Sequence, residues 1–81
     1  MASPRTVEKE YEAGELANLI SQFLYDTEVR ARNIFIRRYW YSDSIGDLAM
    51  RFNMSSSKVK SILFRTRKKL RAYLDKEGGY L

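Results

Sequence analysis

The stretch "SIGDLAMRFNMSSSKVKSILFRTRKKL", residues 44–70, decides the fold of this 81-residue chain. Apolar residues recur in it at helical spacing on both sides of a polar break at "NMS", residues 53–55. Ser44 is followed three residues later by Asp47, which is the spacing of a helix-capping box. After glycine, asparagine is the residue that best tolerates the left-handed conformation of a tight helix exit, as required of Asn53. We therefore predict a short helix, a tight turn and a longer basic helix, which is the helix-turn-helix plan.

Two further helices are predicted before this stretch. The segment "LANLISQFL", residues 16–24, places apolar residues at i, i+3, i+4, i+7 and i+8, so a first helix is expected over 7–24. A second helix is expected over roughly 28–39, with Asp26 or Thr27 as its cap. A strand is the competing interpretation of "NIFIRRYWY", because β-branched and aromatic residues favour strands. Helix ranks higher, since no partner strand is evident elsewhere in the sequence.

These segments together predict one all-α domain, a small four-helix fold with a C-terminal helix-turn-helix. A chain of 81 residues can bury one modest core. We place the domain at residues 7–77, with the last helix running from after Ser55 to about Asp75 or Lys76. Residues 1–6 are interpreted as a lead that is either a cloning remnant or disordered, and residues 78–81 as a frayed tail.

Residue types that are missing exclude several functions. Cysteine and histidine are both absent, which excludes disulfides, thiolate or imidazole metal sites, and nucleophilic catalysis through Cys–His or Ser–His pairs. We expect no enzyme activity, no cofactor and no metal. No apolar run approaches the roughly 20 residues of a membrane helix, and no signal peptide is visible. The expectation is a soluble cytoplasmic protein without a membrane partner.

The charge is unevenly distributed along the chain. The net charge is +5 overall, yet residues 1–28 sum to −4 and residues 44–74 to +7. A polyanion would therefore bind the second half of the chain.

The last helix has two unlike faces when it is placed on a helical wheel at about 100° per residue. The face predicted to meet the core carries Val59, Leu63, Thr66 and Leu70, with Ile62 and Tyr73 at its edge. The opposite face carries Ser57, Lys60, Ser61, Phe64, Arg65, Lys68 and Arg71, and between residues 57 and 71 it contains no acidic residue. Over this range the face lacks the acid–base pairs at i,i+4 that stabilise helices. Phosphates would neutralise it, so we predict a nucleic-acid interface.

Phe64 lies near the middle of this face, where it is difficult to bury within its own domain. In a major groove its ring can meet a thymine methyl group, while neighbouring polar side chains reach base edges or the backbone. At the start of the helix, free backbone N–H groups can face a phosphate. The alternative is that Phe64 folds sideways onto the first helix and the cations are solvated. The DNA-binding residues predicted in this helix are Ser57, Lys58, Lys60, Ser61, Phe64, Arg65 and Lys68.

Residues 16–74 resemble region four of the sigma-seventy superfamily of bacterial RNA polymerase sigma factors, and most closely the extracytoplasmic-function type. The resemblance rests on the order and spacing of "RNIFIRRY" (32–39), "DLA" (47–49), "MSSSKVKS" (54–61) and "RTRKKL" (65–70). Asn53, Lys58 and Ile62 depart from the family pattern, which usually has Gly, Thr and often Arg at these positions. The last two alter the edges of the reading face, so the family's base preferences are not carried over.

The resemblance implies that the last helix docks in the major groove of the minus-thirty-five promoter element. It implies that Arg38 contacts phosphate and that Lys60, Ser61, Phe64 and Arg65 face the groove. The implied partners are double-stranded promoter DNA, the RNA polymerase core through its β flap, and an anti-sigma factor; a monomer is expected. A region-two pattern is absent from the sequence, so we expect this chain alone not to initiate transcription.

Two other functions remain open. One is the helix-turn-helix output domain of a response-type transcription regulator, although such domains commonly dimerise through a last helix that here carries "RTRKKLR" outward. The other is a protein-interaction module, held by an anti-sigma factor or the polymerase flap without touching DNA. An apolar groove beside the first two helices would favour this second alternative. The aromatic run "YWY", residues 39–41, is either a partner-binding patch or, as we favour, the rim of the core.

Overall fold

The computed structural model describes the backbone of residues 4–78 and the side chains of residues 14–77. Within that range the chain forms four helices and no strand: α1 Pro4–Asp26, α2 Val29–Tyr39, α3 Ile45–Arg51 and α4 Ser56–Gly78. The all-α prediction is confirmed, and the strand interpretation of the second segment is wrong. None of the helices described is long and apolar enough to cross a membrane.

The outer ends of the first and last helices extend further than the sequence pattern predicted. α1 begins at Pro4 rather than at residue 7, because proline needs no N–H partner in the first turn of a helix. Residues 4–6 are therefore helical, and the domain boundary at residue 7 stays a prediction. α4 continues past Asp75 and Lys76 to Gly78. The rest of the predicted lead and tail, residues 1–3 and 79–81, lies outside the described residues.

The start of α2 is capped differently from the prediction. The Glu28 carboxylate accepts the backbone N–H of Arg30 at 2.9 Å and that of Ala31 at 3.0 Å. These two hydrogen bonds stabilise the anion and lower the pKa of Glu28 from its ordinary value of 4.5. The prediction of an Asp26 or Thr27 cap is wrong, since Glu28 is the cap of α2 and the Thr27 hydroxyl instead donates to the Phe23 carbonyl in the last turn of α1 at 2.7 Å.

The turn between α3 and α4 forms as the sequence predicts. The Ser44 hydroxyl accepts the N–H of Asp47 at 3.0 Å and caps α3. After α3, Asn53 has a φ of 52°, in the left-handed region. The Met54 N–H then donates to the Ala49 carbonyl at 2.9 Å and closes the helix exit. This exit fixes the direction in which α4 leaves the turn.

The core takes at least one side chain from every helix. Its buried members are Leu24, Ile34, Phe35, Leu48, Val59 and Leu63. α4 contacts each of the other three helices, so it is the central element of the fold. Thr66 is buried beside these residues and donates its hydroxyl to the Ile62 carbonyl at 2.7 Å, which leaves its polar group satisfied. The predicted core face of α4 is confirmed.

Candidate nucleic-acid interface

The burial of one side of α4 determines what the other side presents. Val59 and Leu63 are fully or nearly fully buried, so residues on the opposite side of the helix must point away from the domain. The structure leaves exposed every predicted DNA-binding residue of α4: Ser57, Lys58, Lys60, Ser61, Phe64, Arg65 and Lys68. We call the exposed residues Ser57, Lys60, Ser61, Phe64, Arg65, Lys68 and Arg71 the outer face of α4.

Phe64 stands out from this face. It is 59% exposed, so its ring is not folded onto α1. An aromatic ring presented among cations is available for apolar contact with a partner that those cations attract. The geometry is the one that the helical wheel predicts.

The cations of the outer face are not neutralised by carboxylates among residues 14–77. The ion pairs found there join Arg37 and Arg51 to Asp43, and neither pair involves α4. A positive potential is therefore retained along the outer face, where it can attract a polyanion.

The first turn of α4 has one internal cap and room for an anion. The Ser55 hydroxyl accepts the N–H of Lys58 at 3.1 Å. Among the hydrogen bonds of the described residues, none takes the N–H of Ser56 or Ser57. Free N–H groups at a helix start, beside the lysine side chain, suit a phosphate oxygen.

A second polar cluster lies where α2 ends and α3 begins. The Asp43 carboxylate accepts Nε of Arg37 at 2.8 Å and lies 3.8 Å from Nε of Arg51. The main-chain carbonyl of Asp43 accepts Nη1 of Arg38 at 2.9 Å. Because a guanidinium has five N–H donors, Arg38 keeps donors for a phosphate, and its implied phosphate contact stays a prediction. No sequence signal indicates this cluster, since charge patterning does not tell which basic residues meet one aspartate in space.

A groove of about 530 Å³ lies between the end of α1, the start of α2 and one flank of α4. Its apolar lining includes Phe23, Ala31, Ile62 and Tyr73, and the rings of Phe23 and Tyr73 lie 5.6 Å apart. Charged residues of both signs border it, among them Arg65 of the outer face. An apolar groove in this place, beside the first two helices, favours a protein partner.

The aromatic residues 39–41 border the core and are also exposed. The Tyr39 ring packs on the buried Phe35 with centroids 4.7 Å apart, and Trp40 lies 6.3 Å from the same ring. Arg37 lies over the ring of Tyr41 at 5.2 Å. These residues thus cover one end of the core while presenting apolar surface to solvent.

One of the comparisons with known proteins agrees with the arrangement of the helices. A family model described as "Sigma-70, region 4" matches residues 28–72, more than half of the chain, from the cap of α2 to well into α4. No curated protein and no solved structure matches the chain. The match confirms the resemblance to sigma-factor region four and supports a helix-turn-helix DNA-binding role. In general terms it also supports promoter DNA and RNA polymerase as partners. The extracytoplasmic-function branch stays a prediction. The chain therefore belongs to the sigma-70 region 4 family of helix-turn-helix domains.

Proposed function

We propose that this domain binds the minus-thirty-five promoter element with α4 in the major groove and thereby recruits RNA polymerase for transcription initiation. The observation that carries the proposal is the exposed cationic face of α4 over residues 57–71, a range without any acidic residue, with the exposed ring of Phe64 in its middle. The major groove of B-DNA, about 12 Å wide, admits one α-helix. The domain is proposed to act in the cytoplasm as a monomer and by binding, without catalysis.

The residues of α4 divide by what they can reach in a groove. Arg65 has the planar fork that pairs with the O6 and N7 atoms of guanine, and Lys60 and Ser61 can donate to base edges or to the backbone. Lys58 and Lys68 suit phosphates, which position the helix without reading sequence. Ser57 lies in the first turn of α4, where its main-chain N–H can donate to a phosphate of the DNA backbone.

Phe64 is proposed to read a thymine through its methyl group, which is an apolar contact available only in the major groove. Arg38, from the end of α2, is proposed to contact a phosphate beside the groove. Both roles depend on α4 lying in the groove with its outer face toward the bases.

The test begins with the DNA duplex that the domain selects from a random pool. The labelled duplex is titrated at several salt concentrations with wild type, Arg65→Ala, Phe64→Ala and the control Lys76→Ala, which removes a cation from the far end of α4. Arg65→Ala is expected to lower affinity and flatten the salt dependence, since a charge that meets DNA is lost. Phe64→Ala is expected to lower affinity with little change of slope.

If neither change affects binding more than Lys76→Ala does, the outer face is not the interface. The titration is repeated with the domain bound to RNA polymerase, because the isolated domain is expected to bind weakly.

Replacing thymine by uracil removes only the methyl group and isolates the role of Phe64. We expect one thymine of the selected duplex at which uracil lowers the affinity of wild type but not that of Phe64→Ala. Equal losses in the two proteins at every thymine would contradict the assignment.

A second candidate function is favoured by the groove beside α1 and α2. We propose that it takes an apolar segment of a protein, either the RNA polymerase β flap or an anti-sigma factor. Ala31→Arg would fill the groove, whereas Ala72→Arg adds the same side chain to an exposed position outside it. The first variant is expected to weaken binding to purified RNA polymerase core and the second to leave it unchanged, with DNA binding retained in both. Equal polymerase binding by the two variants would exclude the groove.

A further inference from the structure

The last turn of α2 is linked to α4 by a single side-chain hydrogen bond. Nη1 of Arg67 donates to the hydroxyl of Tyr39 at 2.7 Å, across 28 residues of sequence. The Tyr39 ring packs on the buried Phe35, and this contact holds the hydroxyl in place. Within residues 14–77 no other side-chain hydrogen bond and no ion pair joins α2 to α4.

Arg67 differs in direction from the cations around it. On a wheel of about 100° per residue, with Val59 at zero, Arg65 and Lys68 lie at about 240° and 180°, on the outer face. Arg67 lies at about 80°, on the flank that turns toward α2. The basic run "RTRKK" therefore spreads around the helix. Arg67 lies beside Lys60, at about 100°, on the edge of the outer face, and its guanidinium is directed to Tyr39 of α2.

We propose that Arg67 is a positioning residue for DNA binding and not a DNA contact: its hydrogen bond to Tyr39 braces α4 against the end of α2. The consequence for DNA rests on the proposed function; the brace itself does not. A side-chain tip about 6 Å from a helix axis moves by about 1 Å for each 10° of rotation. Hydrogen bonds to base edges weaken steeply with displacements of that size, so the roll of α4 controls how well its outer face fits a particular sequence.

The first experiment compares Tyr39→Phe, Arg67→Ala, Arg67→Lys and the double variant Tyr39→Phe with Arg67→Ala. Tyr41→Phe is the matched control, since it removes the hydroxyl of an exposed tyrosine for which the described residues show no hydrogen-bond partner. Affinity is measured for the selected duplex and for a random-sequence duplex, at a temperature where every variant is folded.

Each single removal is expected to weaken binding to the selected duplex by up to about fivefold, because the brace can contribute to binding no more than the free energy of one ordinary hydrogen bond. The double variant is expected to be no weaker than either single one, Arg67→Lys to recover part of the loss, and Tyr41→Phe to match wild type. Binding to the random duplex and the salt slope should not change, because no phosphate contact is lost. The proposal is overturned if Arg67→Ala weakens both duplexes and lowers the salt slope by about one phosphate contact while Tyr39→Phe binds as wild type does.

The second experiment tests the brace without DNA. The chain has no cysteine, so spin labels attach only at the introduced pair Asn33→Cys in α2 and Lys76→Cys in α4. The distance distribution between the labels is expected to broaden in Tyr39→Phe and Arg67→Ala, but not in Tyr41→Phe. An unchanged distribution overturns the brace. A broadened distribution in a domain that binds no promoter DNA would support the brace and refute the proposed function instead.

Discussion

Leu63 and Phe64 are adjacent large apolar residues of α4, yet the first is 2% exposed and the second is 59% exposed. Their difference comes from the roll of the helix, because one residue along an α-helix turns a side chain by about 100°. Hydrophobicity alone would assign both residues to the core. One side of α4 therefore builds the fold, while the other side retains an apolar ring that does not contribute to the core.

The two sides also differ in how they treat charge. The core side is apolar except for Thr66, whose hydroxyl is satisfied within the helix. The outer face groups cations over residues 57–71, a range without acidic residues. Each like-charge pair three or four residues apart destabilises a helix by a few tenths of a kcal/mol. A face that lowers the stability of its own helix is best explained by a partner that supplies the missing negative charge.

The largest expected effect is on the core side. Leu63→Ala should lower the free energy of unfolding by about 3 kcal/mol, because it leaves a cavity at the centre of the core. Phe64→Ala should change it by no more than about 0.5 kcal/mol, because an exposed ring has little to lose. Urea unfolding followed by circular dichroism measures both. Similar losses for the two variants would mean that the ring of Phe64 is packed, and the comparison would fail.

The sequence sufficed to predict the two sides of α4, because a helical period and a burial pattern are properties of neighbouring residues. The same holds for the Ser44 cap and for the left-handed Asn53, where a local rule links residue type to backbone conformation. The helix start at Pro4 could have been found from the preference of proline for first turns.

Other features could not be predicted because they depend on tertiary contacts. The pairing of Arg37 and Arg51 with Asp43, and of Arg67 with Tyr39, joins residues whose proximity arises only once the helices pack. The sequence pattern indicates the wrong cap for α2 for a local reason, since a glutamate that accepts two backbone N–H groups competes with shorter capping side chains. The roles of the DNA-binding residues stay predictions that rest on exposure, charge and family membership.

The second-largest expected effect concerns the turn between α3 and α4, which sets the orientation of α4. Asn53→Ala should lower the free energy of unfolding by about 1 kcal/mol, because alanine is strained at a φ of 52°. Asn53→Gly should be neutral or stabilising at the same place. Asn33→Ala, in the exposed middle of α2, is the control and should stabilise by a few tenths of a kcal/mol. A loss for Asn53→Gly equal to that for Asn53→Ala would show that the side chain of Asn53, and not its backbone conformation, holds the turn.

A smaller effect tests the charge of the outer face directly. Ser61→Glu places an acid three residues after Lys58 and four before Arg65, and should stabilise the domain by about 0.2–0.5 kcal/mol for each pair. The same change should abolish binding to the selected duplex, because a carboxylate then faces phosphates and base edges. Ser61→Gln is the control for helix propensity and shape. Stability is measured by thermal unfolding and affinity by DNA titration for wild type and the two variants. A Ser61→Glu protein that is less stable than wild type, or that binds DNA as tightly, would contradict this account.

The smallest expected effect is a difference between the caps of α2 and α4 in how their contribution to stability depends on pH. α2 begins with the Glu28 carboxylate, whose pKa is lowered by the N–H groups of Arg30 and Ala31, whereas α4 begins with the hydroxyl of Ser55. A lowered pKa in the folded state means that the contribution of Glu28 is fully present above its ordinary pKa of 4.5 and is lost as the pH falls through the folded value. The difference in stability between wild type and Glu28→Gln should therefore shrink from neutral pH toward acid, while the difference between wild type and Ser55→Ala should stay constant, because a hydroxyl does not titrate there. Parallel pH dependence of the two differences would mean that Glu28 does not cap α2 as an anion.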